Sequence, residues 1–347
     1  HSFPTRRSSD LKKDRWYFMA NTLAYATLFQ QNLDKAAVQQ ARTGWMEGNA
    51  GQVIYKGGKE VKIPKLSMDG LGDYDRNGGF NGGSVTFEYQ TKQMTHDRGR
   101  SFSIDELDVD ETNFVVTAST IMGEFQRTKV VPEIDATRIA SLATMAMGVA
   151  NDTQVKYEYT PAKASIVDEI KAGIKRIREE GFEGDLVCYV TYDVSMLVSQ
   201  YYGEKLSAAT FALNGVDTRV PAIDGVPLVE MTSNKMYTKL KFNDGKTSEQ
   251  TKGGFEKASD GKSINFLLVA KECPIAVSKT DNMRIFSPEI TQKARAWAMD
   301  YRKFHDIWVP DNKLKGLYVS VKEAKWNEDI SVVGKAKVGK AKVGKGE

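Results

Sequence analysis

The sequence predicts an α+β chain in which extended parts accompany a mixed lobe, and three observations carry that prediction. Residues 60–93 alternate apolar and polar positions on either side of a glycine-rich polar tip. Apolar residues then recur at spacings of three and four from Phe114 to Ala150. Further on, short apolar runs flank two helical stretches. Period two marks a half-buried strand, and a period near 3.6 marks a helix lying on a core.

The chain has 347 residues, 41% hydrophobic and 27% charged, enough for one elaborate domain or two ordinary ones. No run approaches the roughly 20 consecutive apolar residues of a membrane helix. The strongest, Phe266 to Ala270, is strand-sized. Cys188 and Cys273 are the only cysteines and lie far apart, which fits a reducing compartment better than a disulfide scaffold. Three histidines leave a histidine-based metal centre poorly supplied.

The first eighteen residues lack the apolar core of a secretory signal. "HSFPTRRSSDL" reads as a translated sequencing adapter and "DRWYF" as a translated ribosome-binding site, so residues 1–18 are expected to be a non-native leader and Met19 the start. Without them 44 Lys and Arg stand against 43 Asp and Glu, a nearly neutral chain. The overall charge is then no argument for a nucleic-acid-binding surface.

Taken in order, Leu23 to Val38 can form a helix, but residues 21–50 carry more Ala and Gln than large apolar anchors and read as an arm that docks elsewhere. "EVKIPKL" and "SVTFEYQTKQM", around "DGLGDYDRNGGFNGG", predict a long two-stranded hairpin. Such a hairpin is marginal alone in water and needs a surface to lie on. From Glu111 the spacing predicts a long helix that Pro132 kinks or divides.

A Thr–Pro start and a Gly stop bracket Ile166, Ile170, Ile174 and Ile177 as an amphipathic helix within 159–181. "DLVCYVTYD" reads as a buried strand, "DVSMLVSQYY" as a helix opened by Asp193, and "GVPLVEM" as a further strand. "INFLLVAKECPIAVSK", "MRIFSP" and "KLKGLYVSVKEA" add strands. The lysine- and glycine-rich tail, residues 326–347, is expected to be disordered.

The acidic stretch "RGRSFSIDELDVDETN" invites a metal reading, but Asp108, Asp110 and Asn113 lack the central glycine and distal glutamate of a calcium loop. Carboxylates just ahead of a helix more simply favour its positive end. "NDGKT" and "SDGKS" lack the earlier glycine of a phosphate-binding loop. No G-x-S-x-G elbow and no H-E-x-x-H occurs. His96 beside Asp97 and His305 beside Asp306 read as surface ion pairs.

The segments from Arg98 to Leu142, "IDGVPLVEM", "FLLVAKECPIAVSKTDNMRIF" and "AWAMDYRKFHDIWVPDNKLKGLYVSV" together resemble the major capsid proteins of tailed bacteriophages with the HK97-type fold. The likeness is collinear from Met19 to about Lys322. It implies an N-terminal arm (19–50), an extended loop (51–102), a peripheral domain with a spine helix (103–160), an axial domain (161–264) and a return to the peripheral domain (265–325).

The resemblance further implies a non-enzymatic subunit whose hexamers and pentamers enclose double-stranded DNA in the virion, assembled in the host cytoplasm. A separate scaffold protein, a portal and a maturation protease are the implied partners, with no cofactor, metal or membrane. Candidate intersubunit contacts are Lys59, Lys62 and Lys65 on one side of the hairpin, and Asp69, Asp73, Asp75 and Arg76 near its tip. The alternative is an encapsulin-type nanocompartment shell; a metal-dependent enzyme using the acidic cluster is the remote one.

Overall fold

In the computed structural model, residues 41–52, 54–55, 60–74, 76, 82–105, 121–203, 206–213, 216–286 and 296–325 are described. The helix expected at 23–38, the cluster at 106–111, the leader and the tail lie outside them.

The centre is a seven-stranded sheet. Its strands are β5 (Val155–Lys156), β6 (Leu186–Thr191), β7 (Ser207–Leu213), β8 (Val216–Ile223), β9 (Val226–Met231), β12 (Ile264–Ala270) and β15 (Leu317–Val321). They lie in the order β5-β15-β12-β6-β9-β8-β7. β6, β12 and β15 are buried at every position, so their sequences read as unbroken apolar runs. Strands β10 (Leu240–Phe242) and β11 (Phe255–Lys257) form a separate two-stranded ribbon.

Three helices pack on this sheet: α1 (Val131–Met147), α2 (Ile166–Glu179) and α3 (Tyr192–Tyr202). On α2, Ile166, Ile170 and Ile177 are fully buried, each side chain contributing about 2 kcal/mol of hydrophobic stabilisation. α2 begins at Ile166, later than the Thr–Pro pair suggested, because residues 162–165 form a turn on the Ala162 carbonyl. The cap of α3 is Thr191, whose hydroxyl accepts from the Val194 N–H at 3.4 Å, and not Asp193.

The helix around Pro132 is continuous. Residues 121–125 are α-helical, Gln126–Val130 make a π turn in which the Val131 N–H reaches the Gln126 carbonyl, and α1 follows. A proline in a regular α-helix clashes with the carbonyl four residues earlier; the wider π turn supplies the room.

A second body of structure is a long ribbon of β4 (His96–Asp105), β13 (Ile275–Phe286) and β14 (Ala296–Trp308), in the order β13-β14-β4. β13 unites two segments read separately in the sequence, across a bulge between Ser278 and Thr280. The odd-numbered side of β14 meets the helix: Met299 and Tyr301 cluster with Met122 and Phe125, and Ile307 joins the main core. Its even-numbered side, with Phe304 and Trp308, packs under the root of the hairpin.

Candidate interaction surface

The hairpin is built from β2 (Glu60–Met68) and β3 (Val85–Gln93), paired antiparallel from Glu60 opposite Gln93 to Met68 opposite Val85, with β1 (Ile54–Tyr55) alongside β2. Successive strand residues face opposite sides. One side carries Val61 and Ile63, buried at the root against Met94, Ile275, Phe304 and Trp308. Gln90 and Lys92 lie on that side as well and meet Asp311, Gln90 Nε2 donating at 2.6 Å and Lys92 Nζ standing 3.8 Å away.

The other side carries Met68, Val85, Phe87 and Tyr89, all exposed, with the Phe87 and Tyr89 rings edge to face at 5.0 Å. Leu71 and Tyr74 near the tip are exposed too. Six of the nine exposed large apolar side chains among the described residues therefore belong to this one hairpin. The other three, Tyr192, Met196 and Tyr201, lie on α3.

The charged candidates fall differently from their expected arrangement. Lys62 shares the apolar side, whereas Lys65 lies on the opposite one, across from Glu88. They differ by three positions, an odd number, so no strand can place both on one side. Asp69 accepts from the Ser84 N–H at 2.7 Å and closes the hairpin on itself. Asp73 and Arg76 are exposed near the tip, and Lys59 and Asp75 lie outside the described residues.

The histidines also depart from expectation. Asp97 pairs with Arg302, and Asp306 accepts from the Thr95 N–H and hydroxyl, both at 2.9 Å. His305 is buried and stacks on His96, with ring centroids 5.9 Å apart. Neighbouring residues of a strand point to opposite sides, so an adjacent His and Asp cannot meet there.

Asp244 of "NDGKT" accepts from the N–H groups of Lys246 and Thr247 and from the Thr247 hydroxyl, which hold its carboxyl down at about 2. Its role is a turn. Lys262 of "SDGKS" is buried beside Ala324. Neither stretch leads from a strand into a helix.

Among the described residues no group of three or more His, Cys, Asp or Glu side chains is placed to hold a metal ion. No helix among them is long and apolar enough to cross a membrane. The hairpin is thus anchored at its root through one apolar side and leaves its other apolar side exposed.

No protein-family model matches the chain, and no curated protein matches it in sequence. Solved structures do. The mature capsid of bacteriophage PhiM1 aligns over 76% of this chain and 82% of its own, at 10% identity and a TM-score of 0.50. The capsid of cyanophage P-SCSP1u aligns over 78% and 85%, at 13% identity and 0.49. A virus-like particle from Pyrococcus furiosus aligns over 85% and 99%, at 8% identity and 0.47. Aligned with the PhiM1 capsid over three quarters of its length, the chain has the HK97-type capsid fold.

Proposed function

We propose that the chain is the shell subunit of a tailed bacteriophage, a structural protein that assembles with copies of itself around double-stranded DNA. The observation that carries this reading is the exposed apolar face of the hairpin, Met68, Val85, Phe87 and Tyr89. A solvated hairpin gains nothing from such a face, whereas one laid on a neighbour buries it. At about 25 cal/mol per Å², such a strip drives association without making each contact irreversible, which lets a growing shell correct errors.

In this reading the hairpin of one copy lies across the next in a head-to-tail ring, with Lys62 on the contacting side and Asp73 and Arg76 near the tip setting register. The arm (19–50), extended loop (51–102), peripheral (103–160, 265–325) and axial (161–264) domains divide the work as in other shells of this fold. A scaffold protein, a portal and a maturation protease are the further partners, and assembly takes place in the host cytoplasm.

The test is electron microscopy and light scattering of the chain expressed from Met19, with a candidate scaffold, beside the Phe87→Ser/Tyr89→Ser and Asp73→Lys variants. Rings or closed shells from the parent, and monomers of unchanged melting temperature from the variants, support the reading. A strictly monomeric parent at high concentration overturns it. Double-stranded DNA inside native particles supports the viral assignment; a packaged protein cargo moves it to a nanocompartment.

A further inference from the structure

The layer between α1 and the β4–β14 ribbon is unusually cationic for a buried seam. His305 is 7% exposed and its Nδ1 has no hydrogen-bond partner among the described residues. From β14 it is faced by Lys303, also buried, and from β4 by the stacked His96 and by Arg98, which stands 2.5 Å from Glu133 of α1. From α1 comes Arg138, 1% exposed. From residues 44–52 comes Glu47, which accepts from Arg138 and from Ser278, the β13 residue paired with His305. Phe242 of β10 covers His96 edge to face at 5.3 Å.

We propose that this layer is an acid-sensitive seam: a proton taken up by His305 adds a cation beside Arg138, Lys303 and His96 and separates the helix from the ribbon. The bonds already present explain why no rearrangement absorbs the charge. Glu133 is engaged by Arg98, and Glu47 by Arg138 and Ser278, so neither carboxylate is placed to receive a new imidazolium without releasing what it holds.

Burial, then Arg138, Lys303 and His96, hold the His305 imidazole well below the ordinary histidine value. A base whose value is lowered on folding favours the closed state above its unfolded value, near 6.5, and that advantage is lost as pH falls below it. Glu133 acts in the opposite sense, because burial, set against the pull of Arg98, raises its carboxyl and favours the protonated form in acid. Replacing Glu133 should therefore leave the acid response in place.

The experiment is hydrogen exchange of the full chain, corrected for intrinsic rates, between pH 7.5 and 5. Protection of 131–147 and 296–308 should fall by up to tenfold per pH unit below about 6.5, for one linked proton. His305→Phe should flatten that dependence, and Glu133→Gln should not. If His305→Phe does not fold, titration of the parent's isotope-labelled imidazoles serves instead. A His305 that stays neutral well below pH 6.5 supports the seam, and one that titrates near 6.5 overturns it, as does protection that is flat with pH. The measurement reads the subunit itself, so it stands or falls independently of shell assembly.

Discussion

Arg138 and Thr43, ninety-five residues apart, are joined inside the protein: the guanidinium donates to the Thr43 carbonyl at 3.0 Å. Thr43 returns the contact one helical turn away, its hydroxyl donating to Asp135 at 2.8 Å and its N–H at 3.2 Å. Lys235 Nζ stands 3.3 Å from the other Asp135 oxygen, and Glu47 receives the second arm of Arg138. The end of the N-terminal segment is thereby clipped to α1 by polar bonds centred on the fully buried Thr43, Asp135 and Arg138.

Arg138→Met should cost about 3 kcal/mol, because Glu47 and the buried Thr43 carbonyl each lose their guanidinium partner. Urea unfolding of the two proteins reads the difference. The exposed pair Arg127–Glu124, though doubly hydrogen-bonded at 3.0 and 2.7 Å, should be removable with no measurable change.

Gly173→Ala should destabilise despite improving helix propensity. A Cβ there would lie 2.7 Å from both Leu268 and Tyr318, where α2 rests on the sheet. Overpacking of about 1–3 kcal/mol outweighs the propensity gain of about 1 kcal/mol. A thermal melt shifted upward would show that the helix can lift off the sheet at no cost.

Asp306→Ala should loosen the hairpin's root. Its carboxylate is the acceptor for both Thr95 groups at the corner where β3 turns into β4; Thr95 is exposed, so water takes over part of what is lost and the net cost is about 1 kcal/mol. Raised exchange at residues 94–97, with little change on α2, is the pattern to look for.

Neither cysteine should react in the folded chain. Both are buried; burial raises the Cys188 thiol, and burial together with Glu272 pushes Cys273 up to about 12. Iodoacetamide at pH 8, followed by mass spectrometry, should add nothing to the native protein and two groups after denaturation. Labelling of native Cys273 would reveal opening near Gly316, where the sulfur fills the space a side chain would need.

What the sequence disclosed followed the strength of its periodicity. Ile166, Ile170 and Ile177 announced α2, and the solid apolar run of β12 announced a buried strand, because each pattern has one structural solution. β4 was hidden, since His96 to Asp105 is mostly polar and is a strand by virtue of pairing with β14 over ten residues. The expected His–Asp pairs and the shared side of Lys62 and Lys65 are overturned for a single reason: strand parity sends His305 and Asp306, or Lys62 and Lys65, to opposite sides. The exposed face of Val85, Phe87 and Tyr89 was visible as alternation, but its being uncovered required the fold.

The π turn at Gln126–Val130 carries a consequence for heredity. One extra residue in that turn sets the phase between two helical stretches, so that Met122 and Phe125 aim at the ribbon while Ile139 and Leu142 aim at the central sheet. Deleting any single codon there would leave a perfectly good helix, yet swing its first turns by roughly 100° about the axis. Lineages should therefore accept many substitutions in this stretch but very few changes of length.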